Sequence, residues 1–488
     1  MRQNAIYSGA TVARNSLILL VGQIFSQAIT LILGIAITRA LGATEYGRYV
    51  SAFAFATVFV SFTSLGLEKR LVWDMSRHST DAARLFCNAG SLRLVLSFAT
   101  YVLMIATSFL LRFTNEQRRV ILLAGLVVEL TSLGDLMRTV FQAFERMEFD
   151  TLSRLIERAV AVVLIVAVLL RWRTAGAVSV ALLVANLIAV GYAFLIARHF
   201  VRFEHKPSWK TQLTLLQVAV PFGITSTVVG VLTRLDPLFL SMFRSATEVG
   251  WYGAAMNLLL PLTMLPQAFS SSLFPRLSKD ATTDHELARV SSLFSLRWTL
   301  IISFPIMASL IALADVLIWA LFGSEYAWSA LPLRVLSGGL ILVFMNTVAS
   351  NILGALGRQD IVAAVVVGDL ALTVLLCLLL IPKIGIVGAA LAVVLRDAFG
   401  FAAMLLALHK NGLPSLGHSL LGPFVSGTVM FGILFGVRGA NPFCGLLVAL
   451  ISYLLALTVT RSVSVRDWHV MRQVLQAWFQ IRKKVALQ

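Results

Sequence analysis

The chain has 488 residues, 58% of them apolar and 13% charged, with 40 Lys and Arg against 23 Asp and Glu for a net charge of +17. A soluble domain carries about twice that charged fraction, roughly 25%, so a soluble globular enzyme is excluded. The apolar residues arrive in blocks of about 20, the length a helix needs to cross roughly 30 Å of hydrocarbon.

Fourteen candidate spans follow in chain order, near 15–38, 47–67, 86–111, 120–144, 152–170, 176–197, 213–241, 250–274, 296–322, 331–356, 361–381, 385–408, 420–436 and 444–459. In lipid every backbone N–H and C=O must be satisfied within its own segment, so these blocks are helices and the fold class is all-α, polytopic. The period-two alternation of a membrane barrel is absent. The first block lacks an Ala-x-Ala cleavage pattern and reads as a retained span.

With the N-terminus inside, 25 Lys and Arg fall in inside segments and ten in outside segments, which predicts both termini on the cytoplasmic side of the inner membrane. The same count explains the net charge, since basic inner loops meet an anionic leaflet of membrane lipids. No basic domain stands outside the spans to bind nucleic acid. Cys87, Cys377 and Cys444 are scattered, and the seven histidines show no ligand spacing, so neither a disulfide framework nor a metal site is expected.

The chain repeats itself. Ala43-Thr44-Glu45-Tyr46-Gly47-Arg48-Tyr49 matches Ala246-Thr247-Glu248-Val249-Gly250-Trp251-Tyr252 at five of seven positions, offset by 203. Ser91-Leu92-Arg93 matches Ser295-Leu296-Arg297 at 204; Arg146, Glu148 and Glu157 match Arg358, Asp360 and Asp369 at 212. Ordered matches with a slowly growing offset indicate duplication of a six-helix unit. Six spans is an even number, so the two copies enter the membrane the same way up, as a parallel repeat facing a central cleft. The expected organisation is a six-helix lobe at 1–205, a second at 206–410, two additional helices within 411–462 and a basic cytoplasmic tail at 463–488. The two repeated loops are expected to act as turn and cap signals, with Thr44 or Thr247 capping and the glycines permitting close approach.

Several stretches carry a family likeness. They are Arg14-Asn15-Ser16, Thr38-Arg39-Ala40-Leu41-Gly42, Glu45-Tyr46-Gly47-Arg48-Tyr49, Leu65-Gly66-Leu67-Glu68, Glu248 to Ala255, Phe274-Pro275-Arg276-Leu277, and Ile381-Pro382 running on to Gly388-Ala389-Ala390. With these in order through about residue 410, the chain resembles the polysaccharide-biosynthesis, O-antigen (Wzx-type) flippases of the multidrug/oligosaccharidyl-lipid/polysaccharide exporter superfamily. The resemblance implies translocation of a polyprenyl-diphosphate-linked glycan from the inner to the outer leaflet. It makes glycosyltransferases or a polymerase of the same pathway the candidate partners. A lipid II flippase and a multidrug cation antiporter are the alternatives within the superfamily; a membrane-embedded glycosyltransferase or polymerase would need a large outer loop or an acidic catalytic pair.

A diphosphate calls for arginine, whose planar fork donates paired, charge-assisted hydrogen bonds. Ionisable groups within spans mark a cleft by default. The substrate-binding candidates are therefore Arg14, Arg39 and Arg48 around spans 1 and 2, Arg234 in span 7, and the repeat-related Arg93 and Arg297. By superfamily analogy spans 1, 2, 7 and 8 line the cleft. Glu129, Asp135, Asp236 and Asp369 are candidates for coupling to H⁺ or Na⁺. Competing with these roles, Asp135 stands near Arg138, Asp315 near Arg334, Arg234 near Asp236, and Arg396-Asp397 reads as a structural pair. No cofactor is implied, and the absence of a Walker A pattern leaves an ion gradient or the membrane potential as the energy source. Pro221, Pro237, Pro261, Pro266 and Pro305 are expected to kink spans 7 to 9.

Overall fold

In a computed structural model the described residues are 2–77, 81–111, 113–201, 206–267, 269–270, 285–412, 417–436, 442–460 and 462, with side chains of the first 24 residues outside the description. The Phe274–Leu277 motif and the tail beyond 462 lie outside the described residues, as do the side chains of Arg14 and Pro221. All regular elements among the described residues are helices: α1 Arg2–Ser64, α2 Leu67–Arg77, α3 Ala82–Leu110, α4 Asn115–Ala143, α5 Met147–Arg171, α6 Ala175–Phe200, α7 Trp209–Phe243 and α8 Ala246–Leu259, followed by His285–Phe322, Ala330–Ala355, Gln359–Lys410, Gly417–Gly436 and Pro442–Val459. Eight of the described helices are long and apolar enough to cross a membrane.

Two of those eight contain two spans each. The helical run α1 breaks at Gly42, whose φ of 75° is open to glycine without strain, and Gln359–Lys410 breaks at Ile384 and Gly385 (φ 60°). Pro261 is the second residue of a single 3₁₀ turn, Leu260–Thr263, that follows α8. Pro305 lies inside the helix His285–Phe322.

Large apolar side chains stand outward along the helices, among them Leu170 (84% exposed) and Val459 (81%). Water would penalise such a surface, while hydrocarbon does not. The chain is a multi-pass membrane protein.

Two compact units emerge. The first holds residues 1–261, 318–329 and 366–392; the second holds 262–317, 330–365 and 393–488. In the first, the small residues Ala52 and Ala56 let α1 close on Ile121 and Ala124 of α4. In the second, Leu296, Phe304, Met345, Met404, Met430 and Tyr453 form one core, and the Tyr453 hydroxyl donates to the Ile301 carbonyl at 2.9 Å. The two C-terminal helices are thus packed on the helix His285–Phe322.

The duplication is written into local geometry. After α4, Arg146 N donates to Phe141 O and Glu145 N to Gln142 O, with Glu145 left-handed at φ 56°. At an offset of 212, Arg358 N donates to Leu353 O and Gly357 N to Gly354 O, with Gly357 at φ 74°. Both are the six-to-one and five-to-two bonds of a Schellman turn. Arg146 pairs with Glu148, and Arg358 pairs with Asp360 at 3.5 Å. The same turn and the same ion pair close both copies.

Candidate functional site

The repeated loops meet each other. The Thr44 and Thr247 hydroxyls lie 2.9 Å apart. A Cβ on Gly47 would fall inside contact distance of the Ala246 carbonyl, and one on Gly250 inside contact distance of the Ala43 carbonyl. Each copy therefore presents its glycine to the other copy's alanine, with the two threonines between them, the reciprocal contact expected around a local two-fold axis. Close approach by glycine holds as expected; the capping role does not. Thr44 and Thr247 bond each other, and the residue capping α8 is Ser245, which accepts from Glu248 N at 3.3 Å.

The glutamates of this end cap helices on other segments. Glu45 Oε2 accepts from Ala175 N, the first residue of α6, at 2.8 Å. Glu325 Oε1 accepts from Ala43 N, where α1 restarts after its break, at 2.7 Å. Helix starts leave N–H groups unpaired and carry partial positive charge, so a carboxylate satisfies both at once. Tyr326 donates to Thr38 O at 2.6 Å and Trp251 Nε1 to Glu325 O at 2.9 Å, completing a closed repeat-loop end within the first unit.

Toward the other end of the same unit lies a polar cavity of about 380 Å³. Thr57, Ser61, Ser64 and Glu68 line it from α1 and α2, and Thr131, Asp135, Thr139 and Gln142 from α4, with Arg93 and Arg154 between. Steps of three and four place Thr57, Ser61 and Ser64 on one face of α1 and the second set on one face of α4. The Thr57 and Ser61 hydroxyls donate back to Phe53 O and Thr57 O, so they offer lone pairs to the cavity. These stripes escaped the sequence reading, although their helical spacing inside apolar spans is visible there.

Arg93 is 1% exposed. Its Nη1 donates to Thr63 O at 2.7 Å, and its Nη2 meets Ser132 Oγ and Glu68 Oε1, the latter at 3.0 Å. One guanidinium thus ties α1, α2, α3 and α4 together. Asp135 shares the cavity but is paired, at 2.7 Å with Arg138 and 3.6 Å with Arg154. Arg138 also faces Asp150 at 3.8 Å and Glu157 at 3.6 Å.

The remaining candidates divide by place. Arg234 on α7 is half-buried and within electrostatic reach of Tyr46 and Tyr49; Arg158 on α5 reaches Tyr49 as well. Arg158 stands one turn from Arg154. Both are carried within α5. Asp236 is buried and accepts from the Tyr252 hydroxyl. Arg48 pairs with Glu45 at 2.7 Å and Glu116 at 2.8 Å at the repeat-loop end, and Arg39 is exposed three residues before the Gly42 break. Glu129 is buried and accepts from Thr100 at 2.9 Å; it has no ion pair among the described residues. Asp369 is buried in the first unit. Arg297 is half-buried in the second. Asp315 pairs with Arg334, and Arg396 with Asp397 at 2.7 Å.

The fold is that of lipid and multidrug exporters. Over 93% of this chain and 99% of the other, it is similar to a solved structure of the lipid II flippase MurJ in an inward closed conformation, with a TM-score of 0.72 and 16% identity, a likeness of fold alone. The polysaccharide biosynthesis protein family matches residues 12–280, more than half of the chain, and the MatE family matches 221–379. The chain belongs to the polysaccharide biosynthesis protein family. It is 26% identical over 262 residues to the probable low-salt glycan biosynthesis flippase Agl15 of Haloferax volcanii, covering 52% of this chain and 55% of that protein. It is 27% identical over 230 residues to the probable flippase AglR of the same organism, covering 46% and 47%. The chain thus spans about half the length of these relatives.

Proposed function

We propose that the protein is a flippase that carries a polyprenyl-diphosphate-linked oligosaccharide from the inner to the outer leaflet of the cytoplasmic membrane for surface glycan assembly. Both termini lie inside, the repeat-loop end faces outward and the polar cavity lies toward the cytoplasm. The observation that carries the reading is the row of guanidinium groups in the first unit. Arg154 lines the cavity, Arg158 stands one helical turn above it, and Arg234 shares the surroundings of Tyr49 with Arg158. Partly exposed guanidinium groups at membrane depth suit a diphosphate. A cation exporter needs the opposite sign.

In this reading Arg234 and Arg158 hold the diphosphate, Arg154 leads it in, and Arg93 positions the helices around the cavity. Arg39 and Arg48 act at the outward end. Glu129, buried without an ion pair among the described residues, is the seat for a coupling proton, with Asp369 a second carboxylate for that role. Asp135 and Asp236 hold their neighbours in place. Glycosyltransferases or a polymerase supplying and consuming the same lipid-linked glycan are the working partners.

Replacing Arg234 by Ala removes a charge without opening a sealed ion pair. Surface polysaccharide should fall at least tenfold in a complemented null strain, with protein level unchanged on an immunoblot. Full complementation removes Arg234 from the site.

A further inference from the structure

The helix α2, 11 residues long, is too short to cross a membrane and has two unlike faces. It buries Leu67, Leu71 and Met75 and turns Lys69, Trp73 and Arg77 outward. Trp73 is 45% exposed, and its ring is held between two guanidinium groups, Arg70 Cζ at 4.5 Å and Arg77 Cζ at 4.1 Å from the ring centre. Arg70 is also paired with Asp74 at 2.8 Å, which leaves Lys69 and Arg77 as the helix's outward positive charge. α2 is fastened to α7, with Lys69 Nζ 3.4 Å from Ser226 Oγ and Gly66 against Gly223. The first turn of α7 adds Trp209, 65% exposed, and Lys210, also exposed.

Indoles sit where hydrocarbon gives way to headgroups, and basic side chains beside them meet lipid phosphates. An indole clasped by arginine on a short two-faced helix has the chemistry of that boundary layer. We propose that Lys69, Trp73 and Arg77, with Trp209 and Lys210 alongside, bind the headgroup of an anionic phospholipid in the leaflet on that side of the membrane. Arg77 takes the phosphate through charge-assisted hydrogen bonds, and Trp73 packs on the glycerol region below it. The lipid fastens α2 and the start of α7 to one leaflet. This binding stands apart from the proposed transport, because lipid retention is read without any flipping.

The test is native mass spectrometry of the full-length protein in detergent doped with equal amounts of phosphatidylglycerol and phosphatidylcholine. The wild type should retain phosphatidylglycerol preferentially. Each basic group near such a headgroup is worth roughly fivefold, so Lys69→Gln with Arg77→Gln should lower that retention roughly 25-fold, and Trp73→Ala should lower retention as well. Arg118, in the first turn of α4, also stacks on an aromatic ring, Phe109 of α3 at 4.1 Å, away from α2; Arg118→Gln should change nothing. Equal retention of the two lipids by the wild type overturns the proposal. So does an undiminished preference in the double variant, an equal loss with Arg118→Gln, or displacement of the retained lipid by a short-chain prenyl diphosphate, which would give the face to the transported substrate.

Discussion

Valine at position 47 will leave the repeat-loop end unable to close and will abolish surface polysaccharide at normal protein level. A Cβ on Gly47 meets the Ala246 carbonyl, and Gly250 meets Ala43 in the same way. Backbone atoms cannot swing aside as a flexible side chain does, so the two loops must separate. Overpacking of this kind costs about 1–3 kcal/mol, which shifts a closing equilibrium by roughly 5- to 150-fold. Because the contact is reciprocal, Gly250→Val should match Gly47→Val in size. Gly90→Val, with open space at its Cβ, should be silent. Surface polysaccharide and the labelling of a cysteine at position 44 by an impermeant thiol reagent, with Cys87, Cys377 and Cys444 replaced, check this together. Unchanged labelling in Gly47→Val would show that the loops do not govern access.

The second large effect is on stability. Arg93→Met leaves Glu68 facing the cavity without its cation and frees the Thr63 and Ser132 oxygens that Arg93 holds. Removing one partner of a buried pair costs about 3 kcal/mol or more, while removing both is far cheaper. The single variant should be poorly accumulated and melt early in detergent, and Arg93→Met with Glu68→Gln should recover most of the loss. If Arg93→Met accumulates normally yet loses transport, Arg93 holds substrate directly and not the helices.

These two effects draw on different amounts of what the sequence makes legible. The all-helical, multi-pass fold follows from block length and low charge, and the duplicated loops are readable because identical residues recur in order. What a one-dimensional pattern cannot carry is which partner a polar group chooses. Arg93 and Arg297 occupy matching positions, yet Arg93 is sealed among Thr63, Glu68 and Ser132 while Arg297 is half-buried. Arg154 and Arg158 fall within the span expected near 152–170, but only packing brings Arg154 to the cavity and Arg158 to the surroundings of Tyr49. The break at Gly42 divides two spans, and only three-dimensional packing brings Glu325 to cap the restart of the helix. Asp135 went to its neighbour Arg138, as spacing alone suggested.

In the proposed transport the repeat-loop end opens and closes as lipid moves, and a cross-link tests that directly. Thr44→Cys with Thr247→Cys, in a chain lacking its native cysteines, places two thiols where the hydroxyls are now 2.9 Å apart. In proteoliposomes carrying a labelled prenyl-diphosphate oligosaccharide, oxidation should halt translocation to the opposite leaflet, and reduction should restore it. Translocation continuing at the same rate through the locked loops would contradict the account.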